Sequence, residues 1–255
     1  MRYADAGFDN GDGRTRAART LAGGRGDQRP RAFSRAAAVT STARALALAA
    51  LLLLAGSAAR AQAPPAAESP QARLLRLAGE SRTRGSADAT VLVYEIADFQ
   101  CPFCARFAID VFPHIDSAYV RTGKVQWVFV NLPMPSHPQA WGAAEAALCA
   151  GAVANRFWLM HDRLFVAGQE WISAPDPTVV FMRYAREYNL PLDAFQACLA
   201  QDRVAPVILQ DVIFASRVSG TPTFVVTVGT DRQTIVGVKS FAEWREVLDT
   251  ALRKK

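Results

Sequence analysis

Histidines, cysteines and paired metal-ligand spacings are scarce in this sequence of 255 residues. It contains three histidines and four cysteines. The histidines, His114, His137 and His161, show no paired spacing, and Cys149 and Cys198 each stand alone. Only one CxxC pair remains, whereas a structural zinc ion normally needs four ligands, often supplied as two such pairs. The sequence therefore predicts no metal site.

The sequence also lacks a basic surface outside its first 60 residues. Residues 1–60 contain ten arginines and four acidic residues, while the rest of the chain contains 19 basic and 19 acidic residues. The formal charge of +6 thus belongs to the N-terminal segment alone. Because the remainder is neutral, the charge does not indicate nucleic-acid binding, and we predict no nucleic-acid partner.

The longest apolar run, "ALALAALLLLA" at residues 45–55, is too short to span a bilayer comfortably. Arginines precede it and the small residues "GSAARAQA" follow, which is the order typical of a secretory signal peptide. We expect residues 1–61 to be a signal peptide with an extended leader, cleaved after Ala61. The protein would then be periplasmic or otherwise exported. An uncleaved membrane anchor is the alternative, and the absence of a following cysteine argues against a lipoprotein anchor.

The mature chain is predicted to run strand, helix, strand, helical block, hairpin and helix. Residues 62–88 form a linker with a short helix that begins near Ser69 and packs loosely. The strand at 89–99 is apolar on both faces, as in a central, doubly covered strand. The closing helix has a capping box in which Ser240 caps and Glu243 completes it. The other predicted elements are a helix from residue 101 that Pro113 ends or kinks, a strand at 125–131, helices from 132 to about 217, and a hairpin at 219–238.

The CxxC pair in "DFQCPFCARF" follows the first strand and opens a helix. Unpaired N–H groups and the helix dipole stabilise a thiolate at the first cysteine, Cys101, and lower its pKa. Pro102 suits the first turn, where its missing N–H costs nothing. Cys104, one turn further, is positioned to attack a mixed disulfide formed on Cys101. A static disulfide would close too short a loop to add much stability, so the pair indicates redox chemistry.

Two further features support that chemistry. Glu95 interrupts the apolar strand six residues before Cys101, and a buried carboxylate there would accept the proton of Cys104. The alternative is that Glu95 faces solvent at a sheet edge. In "GTPTF", the Thr221–Pro222 bond is a candidate cis peptide that would expose the Thr221 backbone to an incoming peptide. Asp98 is interpreted as a turn or cap residue.

Together, "VLVYEIADFQCPFCARF", "AALCAG…NRFWLMHDRLF" and "GTPTFVV" resemble the thioredoxin-fold oxidoreductases of the DsbA type over roughly residues 80–255. The resemblance implies an α/β, thioredoxin-like fold with an inserted α-helical domain. The thioredoxin-like domain would be discontinuous, at 89–132 and 218–255, with the helical insertion at 133–217.

The resemblance also implies roles for the site residues. Cys101 is the attacking cysteine, Cys104 the resolving one, Glu95 the buried acid and Pro222 the cis-proline beside the disulfide. With Thr221, these form the predicted catalytic set. Substrate contacts are expected at four positions: Pro102, Phe103, Thr221 and Pro222.

Phe103 departs from the histidine that the best-known members carry between their cysteines. A neutral side chain there removes a cation that would stabilise the Cys101 thiolate, which predicts a milder oxidant. It also adds an apolar contact for unfolded substrates. Thr221, which precedes the proline, occurs in disulfide isomerases and reductases of the superfamily as well.

The implied function is introduction of disulfides into reduced or unfolded exported proteins, with reoxidation by a quinone-linked membrane partner. No bound cofactor is needed, because electrons pass through a mixed disulfide. Two alternatives stay open: an envelope reductase or isomerase with the same site kept reduced, and a chaperone-like peptide-binding module. Residues 62–88 are too short for the dimerisation domain of known isomerases, so we predict a monomer.

The other cysteines, histidines and aromatic residues are assigned structural roles. By the same resemblance, Cys149 and Cys198 form a second disulfide, as in some family members; two separate buried thiols are the alternative. His137 and His161 are interpreted as packing or capping residues, and His114 as exposed. Helically spaced aromatic residues are expected in the core of the insertion: Trp141, Phe157, Trp158 and Phe165.

Overall fold

The computed structural model describes residues 67–254, so the predicted signal peptide lies outside the described residues. Five strands and a series of helices make up this part of the chain. The strands are β1 Thr83–Arg84, β2 Val91–Ala97, β3 Val125–Asn131, β4 Thr223–Val228 and β5 Asp231–Val236. The helices are α1 Pro70–Ser81, α2 Pro102–Arg106, α3 Phe112–Ile115, α4 Ala140–Ala154, α5 Phe157–Val166, α6 Gly168–Ile172, α7 Pro177–Glu187, α8 Leu192–Ala200, α9 Ala205–Phe214 and α10 Phe241–Arg253.

The sheet has the strand order β1-β3-β2-β4-β5, with β2 at its centre as its two-sided apolar pattern predicts. β2 pairs with β3 in parallel, and the other pairings are antiparallel. Because parallel neighbours end at the same edge of a sheet, the loops that follow Ala97 and Asn131 lie side by side. The Leu132 N–H donates to the Ala97 carbonyl there, at 2.8 Å.

One face of the sheet is covered by the helix that follows the CxxC pair and by α10. Aromatic rings dominate this core: Phe107 lies 4.6 Å from Phe224, and Trp244 lies 4.9 Å from Phe224, between ring centroids. Such packed aromatic pairs add stability beyond the area that they bury. The helix start that carries the cysteines is thereby fixed against the centre of the sheet.

The helix after the CxxC pair continues through Pro113 to Val120 instead of ending at the proline. Two π-helical turns, Phe107–Val111 and Asp116–Val120, flank α3. A proline inside a helix removes one hydrogen bond and clashes with the carbonyl four residues before it. The wider π turn that precedes α3 accommodates Pro113 without breaking the helix.

The helix α1 packs tightly, which corrects the expectation of loose packing. Ala78 is buried, and Ser81 lies so close to Gly151 of α4 that a side chain at that glycine has no room. Just beyond α1, Arg82 forms a buried ion pair with Asp211 of α9. The two-residue edge strand β1, which the sequence pattern did not predict, then pairs with β3.

Within residues 67–254, none of the helices combines the length and the hydropathy needed to cross a bilayer. The same part of the chain contains no cluster of three or more His, Cys, Asp or Glu side chains arranged to hold a metal ion.

Candidate active site

Cys101 and Cys104 lie at the start of the helix that crosses the centre of the sheet. Cys101 is the N-cap of α2, with extended backbone angles, and Pro102 occupies the first helical position. The Ala105 N–H donates to the Cys101 carbonyl at 3.0 Å, which closes the first turn. Both cysteines are free thiols. Cys101 is 4% exposed and Cys104 is fully buried, so the site presents only the first sulfur to an incoming chain.

The two thiols differ in proton affinity. Hydrogen bonds, first from the Cys104 side chain and then from Thr221 and the backbone N–H groups of Cys104 and Phe103, outweigh burial and lower the pKa of Cys101 to about 5. Burial, reinforced by the neighbouring Cys101, raises the pKa of Cys104 well above its ordinary value. At neutral pH the pair therefore holds one thiolate, on the residue that the sequence predicts as the nucleophile.

Thr221 and Pro222 lie beside Cys101. Their peptide bond is cis, and β4 begins at the next residue. The Cys101 sulfur lies 3.4 Å from the Thr221 carbonyl oxygen, to which it donates when the thiol is protonated. The Thr223 hydroxyl donates to the Gly220 carbonyl at 2.8 Å, which fixes the entry to the strand. The structure thus brings together two sequence motifs that are 120 residues apart.

Glu95 is 1% exposed and lies on the central strand β2, which excludes the alternative of a solvent-facing edge position. The indole N–H of Trp127 donates to its Oε2 at 2.8 Å. Its Oε1 has no hydrogen-bond partner among the described residues. Burial dominates and raises the pKa of Glu95 to about 8, so the carboxyl group holds a proton near neutral pH. Proton exchange with Cys104 stays a prediction.

Phe103, between the cysteines, is 55% exposed, and the Arg106 guanidinium lies 5.5 Å from its ring centroid. A groove of about 450 Å³ lies beside Cys101, between the start of α2 and the junction of α5 and α6. Its apolar lining includes Phe165, Val166 and Ile172. Gln100, Gln169 and Glu170 also line the groove, so an apolar side chain and a groove of mixed lining border the Cys101 sulfur.

Cys149 and Cys198 form a disulfide between α4 and α8, with the two Cα atoms 5.9 Å apart. The alternative of two separate buried thiols does not describe this structure. His161 of α5 is buried among aromatic rings, and its Nδ1 lies 2.8 Å from the Asp162 carboxylate. Burial lowers the pKa of His161, which agrees with its assignment as a packing residue.

The side-chain contact between Asp98 and His137 was not predicted from the sequence. Asp98 is a turn residue, as expected, but its buried carboxylate also contacts the His137 ring at 2.8 Å. The order of the predicted strands could have indicated this contact, because Asp98 follows β2 and His137 lies in the loop after β3. Parallel pairing of those strands brings both loops to the edge where Cys101 lies.

A family model described as Thioredoxin matches residues 77–250, which is more than half of the chain. The chain belongs to the thioredoxin family. The predicted thioredoxin-like α/β fold is thereby confirmed. The predicted resemblance to DsbA-type proteins is supported by the relatives and solved structures described next. The domain boundaries and the roles of the site residues stay predictions.

The relatives and solved structures that resemble this chain carry names of more than one kind. A Na⁺/H⁺ antiporter, NhaA 3 of Salinispora tropica, is 42% identical over 146 residues, which are 56% of this chain but 21% of that protein. Disulfide bond formation protein D of Bacillus subtilis is 28% identical over 65% of this chain and 73% of its own length. The crystal structure of Wolbachia pipientis alpha-DsbA1 has a TM-score of 0.60 at 24% identity, over 68% of this chain and 91% of that one. The first relatives are thus matched over about a fifth of their length.

Proposed function

We propose that this thioredoxin-family chain is a thiol–disulfide oxidoreductase that introduces disulfides into exported proteins through the Cys101–Cys104 pair. The observation that carries the proposal is the asymmetry of the pair, with a low pKa at Cys101 and a raised pKa at Cys104, beside the cis Thr221–Pro222 bond. The curated name of the Bacillus subtilis relative, disulfide bond formation protein D, supports the same chemistry.

The reaction proceeds by two thiol–disulfide exchanges. A substrate thiolate attacks the Cys101 sulfur of the oxidised pair; the Cys101–Cys104 bond breaks and Cys104 leaves with the electron pair. A second substrate thiolate then attacks the substrate sulfur of the mixed disulfide, and Cys101 leaves as a thiolate. The substrate loses two electrons and gains a disulfide, while the enzyme pair is reduced to two thiols.

Glu95 supplies the proton that Cys104 needs when it leaves. Its carboxyl group is protonated near neutral pH because it is buried. It contacts Trp127, which packs with Phe107 of the active-site helix on one face of the sheet. A carboxyl group with a pKa of about 8 both donates and recovers a proton at the working pH. In the reverse direction, the resulting carboxylate accepts the proton of Cys104.

The low pKa of Cys101 favours the oxidising direction. A stabilised thiolate stabilises the reduced pair, and stabilising the reduced form raises the reduction potential. Phe103 brings no positive charge to the site, so the potential is expected to be milder than that of the strongest oxidases. An envelope reductase or isomerase with the same residues is the alternative, and a measured potential separates them.

Reduced, unfolded exported proteins are the proposed substrates. The exposed Phe103 and the groove beside Cys101 suit extended apolar segments, and the Thr221 carbonyl suits pairing with a substrate backbone. Export by the predicted signal peptide, action as a monomer, and reoxidation by a quinone-linked membrane partner complete the proposal.

Single serine variants of the two cysteines test this function. In a folding assay with a reduced substrate protein and oxidised glutathione as the oxidant, Cys101→Ser is expected to abolish substrate oxidation beyond that of glutathione alone, while Cys104→Ser accumulates a mixed disulfide at Cys101, because no second thiol resolves it. Non-reducing electrophoresis detects that species. Oxidation of the substrate by Cys101→Ser beyond that background would contradict the mechanism. Protection against substrate aggregation by the variant lacking both thiols, without any exchange by the wild type, would instead support a chaperone-like module.

A further inference from the structure

A second cavity lies further along the helix that begins with the CxxC pair. Its volume is about 290 Å³, against about 450 Å³ for the groove beside Cys101. Phe165 and Val166, at the end of α5, line both cavities. The two are therefore neighbours on one surface, and we call them together the extended groove. The second cavity is also lined by Arg84, Ile109, Phe112, Asp116 and Asp162.

Apolar side chains are exposed along the extended groove. Phe103 is 55% exposed, Ile109 45% and Val166 65%. Covering such side chains with another apolar chain is favourable, because it removes apolar area from water. The helix rises about 1.5 Å per residue, so its Pro113 end lies roughly 15–20 Å beyond Cys101. An extended chain covers that distance in about six residues.

At the end nearest Cys101, the carboxylate in the extended groove is already matched by a cation. The Arg183 guanidinium lies 2.6 Å from Oε2 of Glu170, and the Tyr184 hydroxyl donates to the same oxygen at 3.1 Å. A positive side chain of a substrate would therefore gain little from Glu170. This end suits apolar side chains.

At the far end, one carboxylate has a neutral partner. Asp116 pairs with Arg84 at 3.4 Å and with Arg121 at 3.2 Å. Asp162 instead contacts the Nδ1 of His161 at 2.8 Å, and its side chain is 56% exposed. Burial lowers the pKa of His161, so this ring is neutral at pH 7 and does not balance the charge of Asp162. The second cavity thus presents an accessible negative charge.

We propose that the extended groove binds an unfolded substrate chain over about six residues on one side of its reacting cysteine, with apolar side chains against Ile109 and Val166 and a lysine or arginine at Asp162. The inference deepens the proposed function and rests on it, because the exchange takes place at the same Cys101 sulfur. The favoured substrate is a reduced chain with a basic residue at that spacing from a cysteine.

Rates of disulfide donation to synthetic peptides test this inference. The core peptide is Cys-Gly-Gly-Cys, and two extended peptides add about six residues, leucines and a terminal lysine, before or after that core. Matched peptides carry serines for the leucines, or glutamate for the lysine. The oxidised full-length protein is mixed with each peptide. The peptide loses two electrons and closes a disulfide, while the Cys101–Cys104 pair is reduced to two thiols. Acid quenching, alkylation and mass spectrometry give the rates.

We expect one of the two extended peptides to react about tenfold faster than the core peptide, the scale of covering one or two partly exposed apolar side chains. The serine version should lose most of that gain. The glutamate version should lose about threefold, the scale of an exposed ion pair.

Substitutions in the second cavity test where the peptide lies. Ile109→Ser and Asp162→Asn should lower the ratio of the extended-peptide rate to the core-peptide rate, each by about threefold. Asp162→Asn should also remove the preference for lysine over glutamate. Ile213→Ser is the matched apolar control, because Ile213 is 72% exposed on α9 and lines neither cavity. Asp110→Asn is the charge control, because Asp110 is exposed beside Ile109 but also lines neither cavity. Both controls should keep the wild-type ratio.

Equal rates for the core and both extended peptides would overturn the proposal. If the protein also sediments as a dimer that Ile109→Ser dissociates, the surface is instead a contact between two copies. Equal losses in Asp110→Asn and Asp162→Asn would overturn the role of Asp162, since they indicate general charge attraction. If Ile109→Ser does not fold, the leucine and serine peptides decide on the wild type alone. Failure of the wild type to oxidise even the core peptide would instead refute the proposed function, and this inference with it.

Discussion

The sulfurs of Cys101 and Cys104 share one helical turn but not one electrostatic environment. The first receives hydrogen bonds from a neighbouring thiol, Thr221 and two backbone amides, whereas burial dominates at the second. A nucleophilic and a resolving thiol need this difference in pKa. The nucleophile must be ionised before it attacks, whereas the resolving thiol must ionise only after the mixed disulfide has formed. Under the proposed function, this difference in proton affinity sets the order of the two exchanges.

The pH dependence of protein stability tests whether the buried Glu95 is protonated. Its folded-state pKa of about 8 lies above the ordinary value of 4.5, so the native state keeps a proton that the unfolded state releases between those values. The contribution of Glu95 to wild-type stability should then fall as pH rises from 4.5 towards 8, by about 1.4 kcal/mol per pH unit. Glu95→Gln removes this contribution, so the variant should become more stable relative to the wild type as pH rises.

Urea denaturation of the oxidised proteins at pH 5 and pH 8 measures this effect, since oxidised cysteines do not titrate. A stability difference between variant and wild type that is the same at both pH values would contradict the protonated, buried Glu95.

At the scale of elements, the disulfide between α4 and α8 is separate from the redox pair. Cys149 and Cys198 are 49 residues apart, and in the chain-entropy model the bond contributes up to about 4 kcal/mol to the free energy of unfolding. A variant with alanine at both positions should lose stability on that scale. It should keep exchange at Cys101–Cys104, because α2 and β4, which build the site, carry neither of these cysteines.

Denaturant titration and a glutathione exchange assay check the two halves of this prediction on the same sample. Loss of exchange in a variant that still folds cooperatively would mean that the helical block has a direct part in the chemistry.

The strands and caps show what local sequence determines. The strand predicted at residues 125–131 is observed at Val125–Asn131, and the Ser240–Glu243 capping box opens α10. Both depend on side chains within one element, through two-residue alternation or a cap three residues away. The candidate cysteines were likewise predictable, because the CxxC spacing and the helix start lie in one short segment.

Contacts between distant segments could not be predicted in this way. Arg82 and Asp211 are 129 residues apart and meet only because α9 packs beside the end of α1. Asp98 and His137 meet only because β2 and β3 pair in parallel. Neither pair leaves a periodic signal, since each depends on which elements become neighbours.

For the whole molecule, the direction of electron flow follows from which redox state the fold stabilises. A thiolate held at Cys101 stabilises the reduced form, which favours the proposed role of the oxidised protein as a donor of its disulfide. Under the proposed function, the groove beside Cys101 and the exposed Phe103 contact substrate chains that have not yet folded.

Equilibration of the Cys101–Cys104 pair with a glutathione buffer of known composition tests this account most directly. Mass spectrometry after alkylation gives the fraction reduced at each buffer ratio. An oxidase predicts a reduction potential above about −200 mV; a value near about −270 mV, typical of thioredoxin, would contradict the proposed direction and indicate a reductase.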